Sequence, residues 1–183
     1  MAVMRADAHR NRERLLASAA AAFAAADGTS VSLEGIARAA GVGIGTLYRH
    51  FPNREALIEA VFRTELAEVS ASAGELLERH APVVALRLWM TRYAAFVAAK
   101  HGMAESLSAM FASGAVEPGD TRTSIVGAVG SLLRAGAADG SLRSDVSADD
   151  VVSSLIGITI ASNSTEQANR MRDLLVDGLV ATR

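Results

Sequence analysis

Within seven residues, Ile44, Gly45, Thr46, Tyr48, Arg49 and His50 bring together hydroxyl, guanidinium and imidazole groups beside one aliphatic side chain. Such a set, displayed on one helix, meets phosphate oxygens and the edges of bases in a groove. Other chemistries find no comparable grouping. His9, His50, His80 and His101 show no ligand-like spacing with carboxylates, so no metal is assigned. The run Gly41-Val42-Gly43-Ile44-Gly45 lacks the continuation of a phosphate loop or dinucleotide fingerprint and falls between helices rather than after a strand. No Ser-His-Asp constellation can be drawn from the sequence. The expectation is a non-enzymatic protein with no catalytic residue, metal or cofactor.

The elements that must position those side chains are short. Ser32 caps a helix whose Leu33, Ile36, Ala37 and Ala40 share one face. Ala37 is small enough for two helices to cross closely there. Gly41 supplies the positive φ of a tight turn, and Val42 and Leu47 plug the corner behind it. A second helix runs from about Gly43 to Phe51, where Pro52 stops it. Upstream, Leu15, Leu16, Ala19, Ala20 and Phe23 form the stripe of a first helix that ends at Asp27-Gly28. Arginines followed by this alanine-rich run also mimic a secretory signal. Glu13 interrupts the positive region, however, and alanine rather than leucine dominates the apolar part.

The run from Ala40 to Leu57, AGVGIGTLYRHFPNREAL, resembles the signature of the TetR family of bacterial transcriptional regulators. The likeness covers roughly residues 10 to 60 and fixes turn, core and contact positions together. It implies an all-α chain with a helix-turn-helix DNA-binding domain over 1–56 and a helical effector-binding and dimerisation domain over 57–183. It also implies that Ile44, Gly45 and Tyr48 face bases, that Thr46, His50 and Arg54 hold phosphates, and that Arg49 does either. Ile44 offers only apolar contact, for instance to a thymine methyl. The expected function is a ligand-responsive, cytoplasmic regulator, a repressor that binds a palindromic double-stranded operator as a homodimer. A small hydrophobic or aromatic effector would release it. The alternative is a helical small-molecule-binding or interaction protein whose helix-turn-helix no longer reads specific DNA.

Composition agrees without deciding. Half of the 183 residues are hydrophobic, and there is no cysteine for a disulfide framework or thiolate metal site. Net charge is −2, but residues 1–64 hold eight arginines and six acids, 8 − 6 = +2, against 10 − 14 = −4 for the remainder. The basic excess therefore lies with the candidate DNA reader. No apolar stretch reaches membrane-spanning length, so no membrane partner is expected.

Beyond position 54 the pattern is helical throughout. Helices are expected over 54–79, 82–100, 104–112, 122–138, from Ser147 onward, and 166–181, with a loop over 114–120. Val151, Val152, Leu155, Ile156, Ile158 and Ile160 surround the penultimate helix, while Met171, Leu174, Leu175 and Leu179 line the last. Val152, Ile156, Ile160, Met171, Leu175 and Leu179 are the candidate dimer contacts, in a four-helix bundle formed by two chains. The alternative is that they close the monomer's own core. Phe62, Trp89, Tyr93, Met110 and Phe111 are the candidate effector lining, because thioethers and aromatics make adaptable pockets. Ordinary core packing explains the same spacing. His101 and Arg92 are candidates for polar contacts there or for surface positions.

Overall fold

The computed structural model describes residues 2–26, 31–100, 103–114 and 118–181, and the described residues form nine helices. These are α1 (Ala2–Ala25), α2 (Leu33–Ala39), α3 (Ile44–His50), α4 (Arg54–Leu77), α5 (Pro82–Ala99), α6 (Ala104–Ser113), α7 (Pro118–Asp139), α8 (Ala148–Ala161) and α9 (Thr165–Leu179). The chain divides into two compact units: residues 1–65 with 98–117, and residues 66–97 with 118–183. Residues 57–65 and 98–117 thus group with the first three helices, and α4 is continuous through both units.

In the first unit, α1 buries Leu15, Leu16, Ala19 and Phe23 in a core shared with Ile36, Ala37 and Ala40 of the α2 segment and Leu47 of α3. Ser32 caps α2 as its sequence requires, its hydroxyl oxygen accepting from the Gly35 N–H at 3.2 Å. At the other end Gly41 has φ +67°. The Gly41 N–H donates to the Arg38 carbonyl and the Val42 N–H to the Ala37 carbonyl, each at 3.0 Å, the paired bonds of a Schellman stop. Three residues later α3 begins, and it ends at Phe51, whose N–H returns to the Leu47 carbonyl at 2.8 Å before Pro52. Leu47 is wholly buried at the corner, whereas Val42 is only half-buried.

The second unit packs the later turns of α4 with α5, α7, α8 and α9. Trp89, with no exposed surface, is its largest fully buried side chain, and its indole N–H donates to the Val69 carbonyl at 2.9 Å, so its one polar atom is satisfied. Arg122 of α7 grips Asp149 of α8 through two hydrogen bonds, at 2.9 and 2.7 Å, and also donates to the Ser153 hydroxyl. That grip holds the Asp149 carboxyl below its ordinary range. Ser147 caps α8 as expected, accepting from the Asp149 N–H.

Three boundaries differ from the sequence expectation by two residues or more, the first being that of α4, which ends at Leu77 rather than 79. The helix expected from 122 begins at Pro118, because proline fits the first helical position, where no N–H is needed. The last helix stops at Leu179 rather than 181. Beyond it Val180 bridges Leu142, with Arg143 N–H donating to the Leu179 carbonyl at 2.9 Å and Ala181 N–H to Ser141 at 3.1 Å. Gly136 makes that corner possible. A Cβ there would lie 2.7 Å from Leu142 Cβ and closer still to its Cγ and Cδ1. The proposed stop of α1 at Asp27-Gly28 lies outside the described residues.

Candidate nucleic-acid interface

The exposed face of α3 is formed by the residues singled out in the sequence. Tyr48 keeps 48% of its surface exposed, an unusual amount for a large aromatic side chain, while Leu47 beside it is fully buried. Gly45 and Arg49 are exposed, and Ile44, Thr46 and His50 are half-buried. An added Cβ at Gly45 would meet nothing within 4 Å, so the fold does not require glycine there. Arg49 lies back along its own helix, donating to the Thr46 hydroxyl at 2.9 Å and to the Gly45 carbonyl at 3.2 Å. The helix therefore holds this guanidinium close to Thr46, with donors left over for an anion. Arg12 sits 5.4 Å from the centre of the Phe51 ring and adds a second cation near the end of α3.

Arg54 stands apart from this group. Its guanidinium donates to the Val31 carbonyl at 2.6 Å, across 23 residues, and lies 5.5 Å from the centre of the Phe23 ring. It therefore clamps the segment entering α2 to the start of α4 and covers a core aromatic. Removing it leaves a part-buried carbonyl without its charged donor. Arg54→Ala is accordingly expected to destabilise the protein by about 2 kcal/mol, the scale of a hydrogen bond to a charged group. Urea unfolding, with the midpoint compared at unchanged slope, measures this directly. No loss of stability would mean that water replaces the clamp.

The candidate effector residues fall into two groups. In the second unit Trp89 and Tyr93 stack with ring centres 5.4 Å apart and planes at 10°, and Tyr93 continues to Phe96 at 6.2 Å. Burial raises the Tyr93 phenol above its ordinary value, opposed by nearby Arg122. In the first unit Phe62 meets Phe111 edge-on at 6.1 Å, and Met110 is buried. Arg92 is an exposed residue 3.8 Å from Glu75, and His101 lies outside the described residues.

Lys100, the chain's only lysine, was not singled out by its sequence. Its ammonium lies 5.0 Å from the centre of the Phe62 ring. Burial lowers its pKa to about 8, opposed by the charge of Glu65. Between that value and the ordinary 10.5, the unfolded chain binds a proton that the folded chain has lost. Stability contributed by this group therefore rises with pH across the window. Lys100→Met is expected to flatten the rise by about 1–2 kcal/mol, a partial effect because the side chain is incompletely buried. Denaturant unfolding of both proteins between pH 7.5 and 10.5 tests it; parallel curves would refute it.

The candidate dimer residues also separate. Val152 and Leu179 are buried within the chain itself and face its own core. Met171 and Leu175 are half-buried, and Ile156 and Ile160 are exposed, Ile160 by 81%. Leu174, on the sequence-derived stripe but outside the six candidate contacts, is 71% exposed. The apolar surface offered by α8 and α9 is therefore centred on Ile156, Ile160 and Leu174.

A helical chain with a capped helix-turn-helix near its start and a separate helical unit after it has the organisation of a DNA-binding regulator with a sensing domain. Residues 15–61 match the family described as bacterial regulatory proteins of the tetR family, and residues 81–181 match the SbtR-like transcriptional regulator C-terminal domain. The chain belongs to the TetR family of transcriptional regulators. Among solved structures, it is similar to a TetR transcriptional regulator from Streptomyces coelicolor, at 44% identity over 94% of this chain and 99% of that one, with a TM-score of 0.84. A TetR regulatory protein from Mycobacterium vanbaalenii is 33% identical over 97% and 99% of the two chains, with a TM-score of 0.77. A gamma-butyrolactone receptor shares the fold at 21% identity, over 96% and 91%, with a TM-score of 0.61. No curated protein matches the chain. Among the described residues no helix is long and apolar enough to cross a membrane.

Proposed function

We propose that this protein is a repressor that binds a palindromic operator as a homodimer and leaves it when a small hydrophobic or aromatic molecule occupies its second domain. The observation that carries the reading is the exposed face of α3. Tyr48 is half in solvent, Gly45 leaves room for close approach, and Arg49, Thr46 and His50 lie alongside. On this reading Ile44, Gly45 and Tyr48 meet base edges, Thr46 and His50 hold phosphates, and Arg49 serves either. Arg54 adds its charge to the phosphate side while keeping its clamp on Val31.

Two such faces in a two-fold dimer enter successive major grooves, about 34–36 Å apart. The effector need only favour a dimer with a different spacing, since release requires nothing beyond unequal affinity for the two states. α4 runs unbroken from Arg54 to Leu77 and is the natural carrier of that change. Ligand response is supported by the receptor fold shared with the gamma-butyrolactone receptor, and the sparsely charged aromatic cluster around Trp89 favours an apolar ligand.

Selection of binding sites from genomic fragments tests the proposal. The expected product is a short inverted repeat, bound in a salt-dependent way and with preference over random competitor. Recovered fragments without a shared repeat would refute specific operator recognition. Trp89, the chain's single tryptophan, then serves as a reporter: an effector should change its emission at concentrations that release the operator.

A further inference from the structure

Two arginines of α1 reach opposite ends of α3. Arg12 holds its guanidinium 5.4 Å from the centre of the Phe51 ring, and Phe51 is the residue that closes α3. Arg14 reaches the other end: its Nη1 lies 3.5 Å from the position that a Cβ on Gly41 would take, in the turn that leads into α3. We propose that both guanidiniums are DNA-phosphate contacts through which α1 fixes the seat of α3 in the groove. The proposal rests on α3 being the reading helix.

The charge around these side chains marks them out. Both are exposed, and neither takes part in an ion pair among the described residues. The carboxylates of α1 are engaged elsewhere, Asp7 with Arg10 and Glu13 with His9 at 3.2 Å. In the second unit the pattern is opposite, since Arg87, Arg92, Arg122 and Arg143 each have a carboxylate partner. Phe51 holds the Arg12 guanidinium in place without neutralising it. The Asn11 side-chain oxygen accepts from Arg14 at 2.5 Å. It takes one of five guanidinium N–H donors and leaves the others for phosphate oxygens.

The spacing suits a duplex. α3 has seven residues and rises about 10 Å, slightly less than the major-groove width of about 12 Å. Cations at its two ends are therefore placed to meet phosphates bordering the groove, while Tyr48 and Gly45 between them face the bases. Such contacts carry charge and position but no sequence information, so their loss has a signature different from that of a lost base contact.

The probes are duplexes carrying the selected operator and random-sequence duplexes of equal length, titrated with the full chain at several salt concentrations. Arg12→Gln and Arg14→Gln should each reduce the slope of log affinity against log salt by about 0.9, and the double variant by about twice that. Near about 0.1 M salt each should weaken binding roughly fivefold to tenfold, on both duplexes alike. Tyr48→Ala, by contrast, should lose operator preference at a nearly constant slope. Arg12→Lys and Arg14→Lys keep the charge and should keep the slope, a readout that packing on Phe51 or Gly41 alone would not move. An unchanged slope in the double glutamine variant, with operator preference intact, would overturn the proposal and leave the reading face standing. Equal wild-type binding to both duplexes would remove the reading face, and with it the seat that α1 is proposed to fix.

Discussion

Tyr48→Ala is expected to lower affinity for the selected operator by roughly tenfold to a hundredfold, the scale of a lost base-reading contact, while leaving the thermal unfolding curve in place. The second half of that expectation follows from burial. Leu47 holds α3 to the core with no exposed surface, whereas Tyr48 projects with 48% of its surface free. Truncating it removes little packing. Because the proposed contact is to bases, the dependence of affinity on salt should stay nearly constant, in contrast to the shallower slope expected when a phosphate contact is lost. Gly45→Ala gives an independent view of the same face. The added methyl meets nothing in the fold, and alanine favours a helix interior over glycine by about 1 kcal/mol, so the protein should be no less stable. Operator binding should nevertheless fall if backbone and base edge approach closely there. Titration of labelled operator at moderate salt, beside melting curves, separates the effects. Unchanged affinity in both variants would remove α3 as the reading helix.

The legibility of this helix-turn-helix has a physical origin. Ser32, Gly41 and Pro52 each act within four or five residues of themselves, so cap, turn and stop can be read from neighbours alone, whereas Leu47 is legible only as an apolar residue placed to meet a core. Arg54 shows the limit. Its charge is plain in the sequence, but its acceptor is the Val31 carbonyl, 23 positions earlier, and no local pattern marks such a partner. Lys100 is similar: only the fold brings it to Phe62 and Glu65 and lowers its pKa. α8 illustrates a different difficulty. Apolar residues lie on several sides of it, so periodicity could not tell the core-facing Val152 from the exposed Ile160. α9 mixes both faces in one apolar stripe, and only burial separates Leu179 from Leu174. The candidate effector residues divide for the same reason. Aromatic and methionine spacing marked them as inward-facing, but not which compact unit each would join.

That separation sharpens the expectation for assembly. Wild-type protein should sediment as a dimer at micromolar concentration, and Ile160→Asp combined with Leu174→Asp should sediment as a folded monomer. Each side chain is exposed in the isolated chain, so an aspartate there is solvated and the protomer keeps its fold. In a two-fold bundle each position occurs twice, and burying a Leu or Ile side chain stabilises by about 1.5–3 kcal/mol. Replacing that with unpaired carboxylates removes the apolar gain and adds the cost of desolvating charge. Val152→Asp is the contrasting variant. Its side chain is 1% exposed within the chain, so it should unfold the second unit rather than dissociate an intact dimer. Operator affinity should fall steeply in the monomeric variant even though α3 is unaltered, because one reading helix then binds one half-site without its partner. A wild-type monomer at micromolar concentration, or a dimer that survives both aspartates, would move the interface away from α8 and α9. The reading face on α3 would then need another route to two-fold symmetry.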